Sequence, residues 1–194
     1  MSQLFTDWLT ENYIEIIGTI TSLLYLYFSV KQNILLWLFG IISSALYIYI
    51  FFVSKFYADM SLQVYYVFIS IYGWIIWSDK VNDSKLKTSE TSLTMASILL
   101  IITIIIFWIY VMILKRTDST IPYWDAFTTA ASITATWMLA RKKIEHWIIW
   151  VVVDVVSLGL YIYKGLYTTS FLFLIYTIIA IVGYYEWKKD LTEK

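Results

Sequence analysis

Seven apolar runs, near residues 13–30, 34–53, 58–77, 93–114, 122–140, 146–163 and 167–186, constrain this chain more than anything else in it. A helix of about 20 such residues spans a hydrocarbon core of roughly 30 Å. Within that core, backbone polar groups are satisfied only by helices or closed barrels. Each run is long enough to span that core, so an all-α membrane protein with seven transmembrane helices is expected. Composition agrees, with 60% hydrophobic, 20% aromatic and only 14% charged residues, where soluble domains hold about 45–50% apolar and 25% charged.

The breaks between runs are short and charged: Lys31-Gln32-Asn33, Ser54-Lys55, 115–118, Arg141-Lys142-Lys143 and Lys164-Gly165. Only 78–92 is long, and its polar character reads as a solvated linker. Pro122, the sole proline, stands where the fifth helix begins, a position that tolerates a missing N–H. Ten of the fourteen lysines and arginines fall on one side: Lys31; Lys80, Lys85 and Lys87; Arg141, Lys142 and Lys143; Lys188, Lys189 and Lys194. Lys55, Lys115, Arg116 and Lys164 fall on the other. The positive-inside rule then places the N-terminus outside and the C-terminus in the cytoplasm. The first residues lack the basic stretch of a cleavable signal peptide, so the first helix is expected to remain in the mature protein.

The chain also matches itself. A shift of 110 residues without gaps pairs Tyr13 with Tyr123, Thr19 with Thr129, Ser22 with Ser132 and Trp37 with Trp147. Tyr57/Tyr167, Tyr66/Tyr176, Gly73/Gly183, Trp77/Trp187 and Lys31/Arg141 follow at the same offset. Coincident Ile or Leu would mean little in so apolar a chain, whereas coincident Trp and Gly are informative. Residues 1–78 and 122–194 are therefore expected to be two three-helix copies, with 79–121 supplying a cytoplasmic linker and a connector helix. An odd-numbered unit ends opposite its start and the connector returns the chain, so the copies run parallel, a SWEET-like 3+1+3 arrangement. Substrate sites in such folds lie near the midplane between repeats. The fourth run has no polar stripe and reads as a lipid-facing connector or a self-association surface.

The most informative polar pattern lies in 146–165. Trp147, Trp150, Asp154, Ser157 and Tyr161 recur at steps of three and four, sharing one helical face among Val, Ile and Leu. A carboxylate mid-bilayer costs about 2.5–3.5 kcal/mol on insertion scales, so Asp154 is expected to face protein or a water-filled cavity. Two indoles, a hydroxyl, a phenol and an anion suit a flat, polar, cationic ligand. The alternative is a polar seam joining helices. On the third run, Gln63 and Tyr66 share a stripe with Asp59, Ser70, Gly73 and Trp77, and Gln63 offers both donors and an acceptor. The second run contributes Trp37, Gly40, Ser44 and Tyr47; Ser44 is the counterpart of Asp154, so the anion belongs to one copy. Tyr66 and Tyr176, paired mid-helix tyrosines, join the binding candidates. Glu15, Asp59 and Asp125 lie near helix starts, where carboxylates are inexpensive. His146 is expected at a water boundary, and Trp77, Trp187, Tyr123 and Trp124 in the aromatic belts.

Other chemistries are poorly supplied. Cysteine is absent and His146 is the only histidine, which leaves no metal set and no His-based triad. No basic tract points to nucleic acid, and no cofactor is expected. A retinal receptor would need a buried Lys for its Schiff base, and the seventh run contains none before Lys188.

The segments at 37–51 (WLFGIISSALYIYIF), 55–59 (KFYAD), 72–77 (YGWIIW), 141–150 (RKKIEHWIIW), 160–167 (LYIYKGLY) and 181–187 (IVGYYEW) resemble the PnuC family of vitamin transporters. The likeness runs from the first helix to the seventh, and the Trp147–Trp150 spacing is its most specific part. It implies a bacterial cell-membrane protein, a homotrimer of SWEET-like protomers, and facilitated diffusion of a vitamin trapped afterwards by phosphorylation. Nicotinamide riboside is the substrate it implies first, with thiamine and riboflavin as others. Trp147 and Trp150 match tryptophans that line the family's site, whereas Asp154 stands where Asn is expected in some riboside carriers. An anion between indoles suits the cationic ring of nicotinamide riboside or thiamine better than neutral riboflavin. The expected mechanism is uniport, with proton coupling through Asp154 as its rival.

Overall fold

The computed structural model describes residues 2–53, 57–78, 86–117 and 119–192, with side chains described from Tyr13 onward except at Glu15, Tyr57, Ala58 and Thr168. Lys55, Lys80, Lys85, Asp118, Lys194 and most of the polar linker, all singled out above, lie outside the described residues, as do the side chains of Glu15 and Tyr57.

Seven helices follow in order: α1 (Ser2–Val30), α2 (Leu35–Val53), α3 (Tyr57–Ser78), α4 (Leu93–Leu114), α5 (Pro122–Ala140), α6 (His146–Tyr163) and α7 (Tyr167–Thr192). Two differ from the apolar runs that announce them: α1 begins well before residue 13, and α7 continues past residue 186. Both extensions mix polar with apolar residues, Leu4, Phe5, Trp8 and Leu9 in the first and Trp187 and Leu191 in the second, and an exposed ion pair between Lys189 and Glu186 at 2.7 Å supports the second. Five described helices are long and apolar enough to cross a membrane: α2, α4, α6 and the described stretches of α3 and α7. In α1 the qualifying apolar stretch is the shorter Ile16–Val30. Of the seven spans expected from sequence, α5 is not among these five, because Asp125 and its Ser and Thr residues lower its hydropathy. Its composition has a structural reason: ten of its residues, including Ala126, Ala130, Ala135 and Thr136, are buried. A helix surrounded by protein needs small side chains for close packing rather than a lipid-compatible surface.

The chain divides into two compact units, Met1–Ser78 and Asp79–Lys194. In the first, α2 packs on both α1 and α3. In the second, α5 packs on α4 and α6, and α6 on α7. Thus α4 groups with α5–α7. Its start is capped by Ser92, which accepts from the Met95 amide at 3.3 Å, and its middle is tied to α5 by a Thr103–Thr134 hydroxyl bond of 2.6 Å. Otherwise α4 is mostly exposed apolar surface, as at Leu100, Ile101 and Met112.

Two turns are the same object. After α1, the amides of Lys31, Gln32 and Asn33 donate to the carbonyls of Tyr27, Ser29 and Phe28; after α5, those of Arg141, Lys142 and Lys143 donate to Trp137, Leu139 and Met138. Both turns place a non-glycine residue in the left-handed region, Gln32 and Lys142 each at φ 50°. Such a conformation costs an L-residue roughly 1–2 kcal/mol, so its recurrence reflects the terminating motif that closes the preceding helix's carbonyls.

Candidate functional site

Each unit contains one tryptophan seated on a glycine. In the first, a Cβ on Gly73 would come within 2.4 Å of the Trp37 indole, and Trp77 meets that indole edge-on at 5.3 Å between ring centroids. In the second, a Cβ on Gly183 would lie 2.5 Å from Trp147, and Trp187 meets Trp147 edge-on at 5.8 Å. Trp37 is 0% and Trp147 2% exposed, and neither indole N–H has a hydrogen-bond partner among the described residues. Trp37 and Trp147, expected as ligand contacts, are therefore placed inside the packing of their own units. Trp187, expected in an aromatic belt, is fully buried, which corrects that expectation; the glycine one turn before it leaves room for an indole, and apolar burial outweighs the membrane edge. Tyr123 and Trp124 are about half exposed, as belt residues are.

His146 is likewise not at a water boundary. It is fully buried, its ring 4.5 Å from Trp147 and 4.7 Å from Trp187 by centroids. Its Nδ1 lies 2.7 Å from the Lys143 carbonyl, which can only accept, so the proton is on Nδ1. The turn's backbone thus fixes the tautomer, and Nε2 faces the aromatic cluster with no donor among the described residues.

Further along α6 the same face changes character. Its buried residues include Asp154 and Ser157, at 5% and 7% exposure, and Trp150 and Tyr161 are half-buried. Neither the Asp154 carboxylate nor the Ser157 hydroxyl has a hydrogen-bond or ion-pair partner among the described residues. Buried polar atoms are nearly always paired, and the fully enclosed unpaired ones among the described residues are the Trp37 and Trp147 indole nitrogens and His146 Nε2. The oxygens of Asp154 and Ser157 are not among them, so each keeps some accessible surface on an otherwise buried face. Tyr161 stacks on Phe173 of α7 at 5.0 Å, and Phe173 meets Tyr176 edge-on at 5.6 Å. This aromatic run lines the end of the face away from Trp147. The second unit thus has Trp150, Asp154, Ser157 and Tyr161 along one face of α6, with Tyr176 reached from Tyr161 through Phe173, while Trp147 packs on Gly183 with His146 and Trp187.

Of the candidates in the first unit, Gln63 is half-buried on α3 without a hydrogen-bond partner among the described residues. Tyr66 tilts against Tyr65 at 5.8 Å. At the positions matching Trp150, Asp154 and Ser157, this unit has Gly40, Ser44 and Tyr47. A Cβ on Gly40 would approach Ser70 Oγ to 2.8 Å and the Tyr25 ring to 3.2 Å. There the space is closed by Tyr25; in the second unit the residue matching Tyr25 is Ala135 and the large ring is Trp150 instead. Sequence periodicity found the face but not this exchange of sizes, which was visible only as Gly and Trp at one matched position, Tyr and Ala at another.

A family model described as nicotinamide mononucleotide transporter matches residues 12–189. The nicotinamide riboside transporter PnuC of Escherichia coli K12 is 28% identical, covering 94% of this chain and 88% of that protein. The namesake in Neisseria mucosa is 26% identical over 92% of this chain and 73% of its own length. A riboflavin/roseoflavin transporter, RibM of Streptomyces davaonensis, is 22% identical over 89% of this chain and 83% of its length. Among solved structures, a crystal structure of a vitamin B3 transporter PnuC superposes with a TM-score of 0.76 at 21% identity, covering 98% of this chain and 87% of that one; the likeness extends the fold over nearly every residue.

Proposed function

The chain belongs to the nicotinamide mononucleotide transporter family, and from that premise we propose that it carries nicotinamide riboside, without the phosphate, by facilitated diffusion. Among the described side chains, Asp154 is the one carboxylate in the middle of a helix, and it is buried and unpaired. No lysine or arginine occurs within α1–α6, and those of α7 stand near its end. A phosphate would meet an anion here and no cation, at a depth where water screens neither. A pyridinium ring meets the reverse: an anion to answer its charge, with Trp150 one turn before it to stack on. Ser157 and Tyr161 hold ribose hydroxyls. Gln63 and Tyr66 are retained as polar candidates by residue type.

The unpaired carboxylate carries this reading, and titration of the purified protein tests it. Nicotinamide riboside is expected to bind at least tenfold more tightly than nicotinamide mononucleotide or riboflavin, a difference of about 1.4 kcal/mol or more. Tighter binding of either competitor overturns the proposal, and tighter binding of thiamine, also cationic, reassigns the substrate within the same charge logic.

Two parallel three-helix copies with α4 as connector are supported by the matched turns and the matched Trp–Gly seats. A cytoplasmic C-terminus is supported by the distribution of basic residues, and within the second unit the described end of the α3–α4 linker pairs with the α5–α6 turn, so both basic loops share one end. A trimer in a bacterial cell membrane is proposed from family resemblance, to be read by native mass spectrometry. Uniport follows from the want of a second deep carboxylate among the described side chains; accumulation above equilibrium under an inward proton gradient would assign Asp154 to proton coupling instead.

A further inference from the structure

The turn before α6 does more than its twin before α2. Residues 86–92 lie along it as a strap. Ser89 pairs with Lys143 in a parallel bridge, its amide donating to the Lys142 carbonyl and its carbonyl accepting from Ile144, both at 3.1 Å. The Lys143 ammonium donates to the Ser89 hydroxyl and the Glu90 carbonyl, both at 3.0 Å. Glu145 accepts from the Thr91 amide at 2.8 Å and from the Thr91 hydroxyl at 2.6 Å. Beneath these bonds Thr88 and Ile144 are buried.

Glu145 is the residue from which α6 begins, yet its carboxylate makes no bond to its own helix. Both its oxygens hold the strap, and the strap's next residue, Ser92, caps α4. One charged side chain therefore joins the starts of two helices. At the matching positions the first unit has Asn33, whose side chain accepts from the Leu35 amide within its own turn at 2.9 Å, and Leu35 in place of Glu145. The shared turn is sufficient to end one helix and start the next; the added Lys and Glu serve only the strap.

We propose that Glu145 is a positioning residue: through the strap it fixes the start of α6 to α4, so that α4–α7 stay one body while the substrate crosses. Asp154 lies nine residues beyond Glu145 on the same helix, about 13–14 Å along its axis. A small change of tilt where α6 begins is thus magnified where the carboxylate meets its ligand. Among the described residues, none of the hydrogen bonds between the strap and the turn reaches the binding face, so its loss is expected to act on the rate of crossing and not on the contacts made in the bound state.

The test uses the full chain in proteoliposomes with nicotinamide riboside as probe, and it rests on the transport reading above. Uptake by the unaltered protein separates the two: if that is absent, the substrate assignment has failed and the strap is tested with whichever vitamin the protein does carry. Glu145→Ala is expected to slow uptake at saturating substrate about fivefold or more, with Kd within about twofold. The chain has no cysteine, so Ser89→Cys and Lys143→Cys can be added to Glu145→Ala and joined by oxidation. The disulfide is expected to restore uptake to within about twofold of the unaltered protein, and reduction to abolish the gain. Unchanged uptake in Glu145→Ala, or a Kd that rises in step with the loss of rate, overturns the positioning role. Uptake stopped by the disulfide shows that the strap must open during transport, and overturns the single body.

Discussion

Set against each other at an offset of 110 residues, the two units share a turn and a Trp–Gly seat and differ in their chemistry. The turns at 31–34 and 141–144 make the same hydrogen bonds, and Trp37 on Gly73 repeats as Trp147 on Gly183. Yet Leu36 corresponds to His146, Gly40 to Trp150, Ser44 to Asp154 and Leu35 to Glu145. What is common is what a three-helix unit needs in order to pack; what differs lies on one face of α6 and at its start. The difference teaches that the turn and the Trp–Gly seat recur, whereas the charge proposed to meet the substrate stands on α6 without a counterpart in the first unit.

The hardest attempt to break this comparison removes the shared part. Trp37→Ala and Trp147→Ala are each expected to cost about 3–5 kcal/mol, the usual loss for deleting a buried large aromatic, read as thermal unfolding in detergent. Trp150→Ala, at a half-buried position, should cost much less stability and abolish measurable binding of nicotinamide riboside. If Trp147→Ala leaves the fold intact and only binding fails, Trp147 is a ligand residue and the tryptophans at 37 and 147 are not equivalent.

Next comes the part the units do not share. Asp154→Asn removes an unpaired carboxylate from the interior and is expected to raise the stability of the ligand-free protein, by up to about 2.5–3.5 kcal/mol on insertion scales. It should weaken nicotinamide riboside at least tenfold, about 1.4 kcal/mol, and leave riboflavin nearly unchanged. Ser44→Asp places the same group at the matching position of the first unit, where it has no cation to meet, and should only destabilise. Equal losses for charged and neutral vitamins in Asp154→Asn would end the argument from charge.

A smaller effect sharpens the comparison of seats. Adding one methyl at Gly73 or Gly183 brings it to 2.4 or 2.5 Å from an indole. Overpacking of this kind costs roughly 1–3 kcal/mol, and the two substitutions should shift unfolding by similar amounts. A marked inequality would show that one indole can yield where the other cannot.

Much of this was legible in the sequence, for definable reasons. Apolar run length fixes where helices can lie, and rare residues such as Trp and Gly reveal a repeat that Ile and Leu would hide. The face of Asp154 followed from helical periodicity. The seats did not, because Trp147 and Gly183 are on different helices and periodicity sees only one at a time; their joint recurrence as Trp37 and Gly73 was the available sign. His146 beside charged neighbours looked solvated, but the turn folds it inward, with the Lys143 carbonyl accepting a hydrogen bond from its Nδ1. The strap gave no local signal at all, since Ser89 and Lys143 are far apart in sequence and polar loops of that composition are ordinarily solvated.

The smallest predicted effect concerns which helices belong to a unit. Ser22 and Ser43 join α1 to α2 through hydroxyls 2.6 Å apart, and Thr103 and Thr134 join α4 to α5 at the same distance. Interhelical bonds of this type contribute on average about 0.6 kcal/mol in membranes. If α4 is held by the second unit as firmly as α1 is by the first, Ser43→Ala and Thr134→Val should lower stability by comparable, small amounts. Thr134 is the more buried of the pair it forms, and its single proton, given to Thr103 while Thr103 donates to the Leu99 carbonyl at 2.7 Å, can turn to the Ala130 carbonyl 3.2 Å away when Thr103 is removed. Thr103→Val therefore breaks the bond between the helices while leaving Thr134 a partner within α5. Combining Thr103→Val with Glu145→Ala then asks whether the strap and the hydroxyl bond act on one body: coupled losses, measured as a departure from additivity, are expected if both hold α4 against α5 and α6, and strict additivity would mean that each end of α4 is fastened independently.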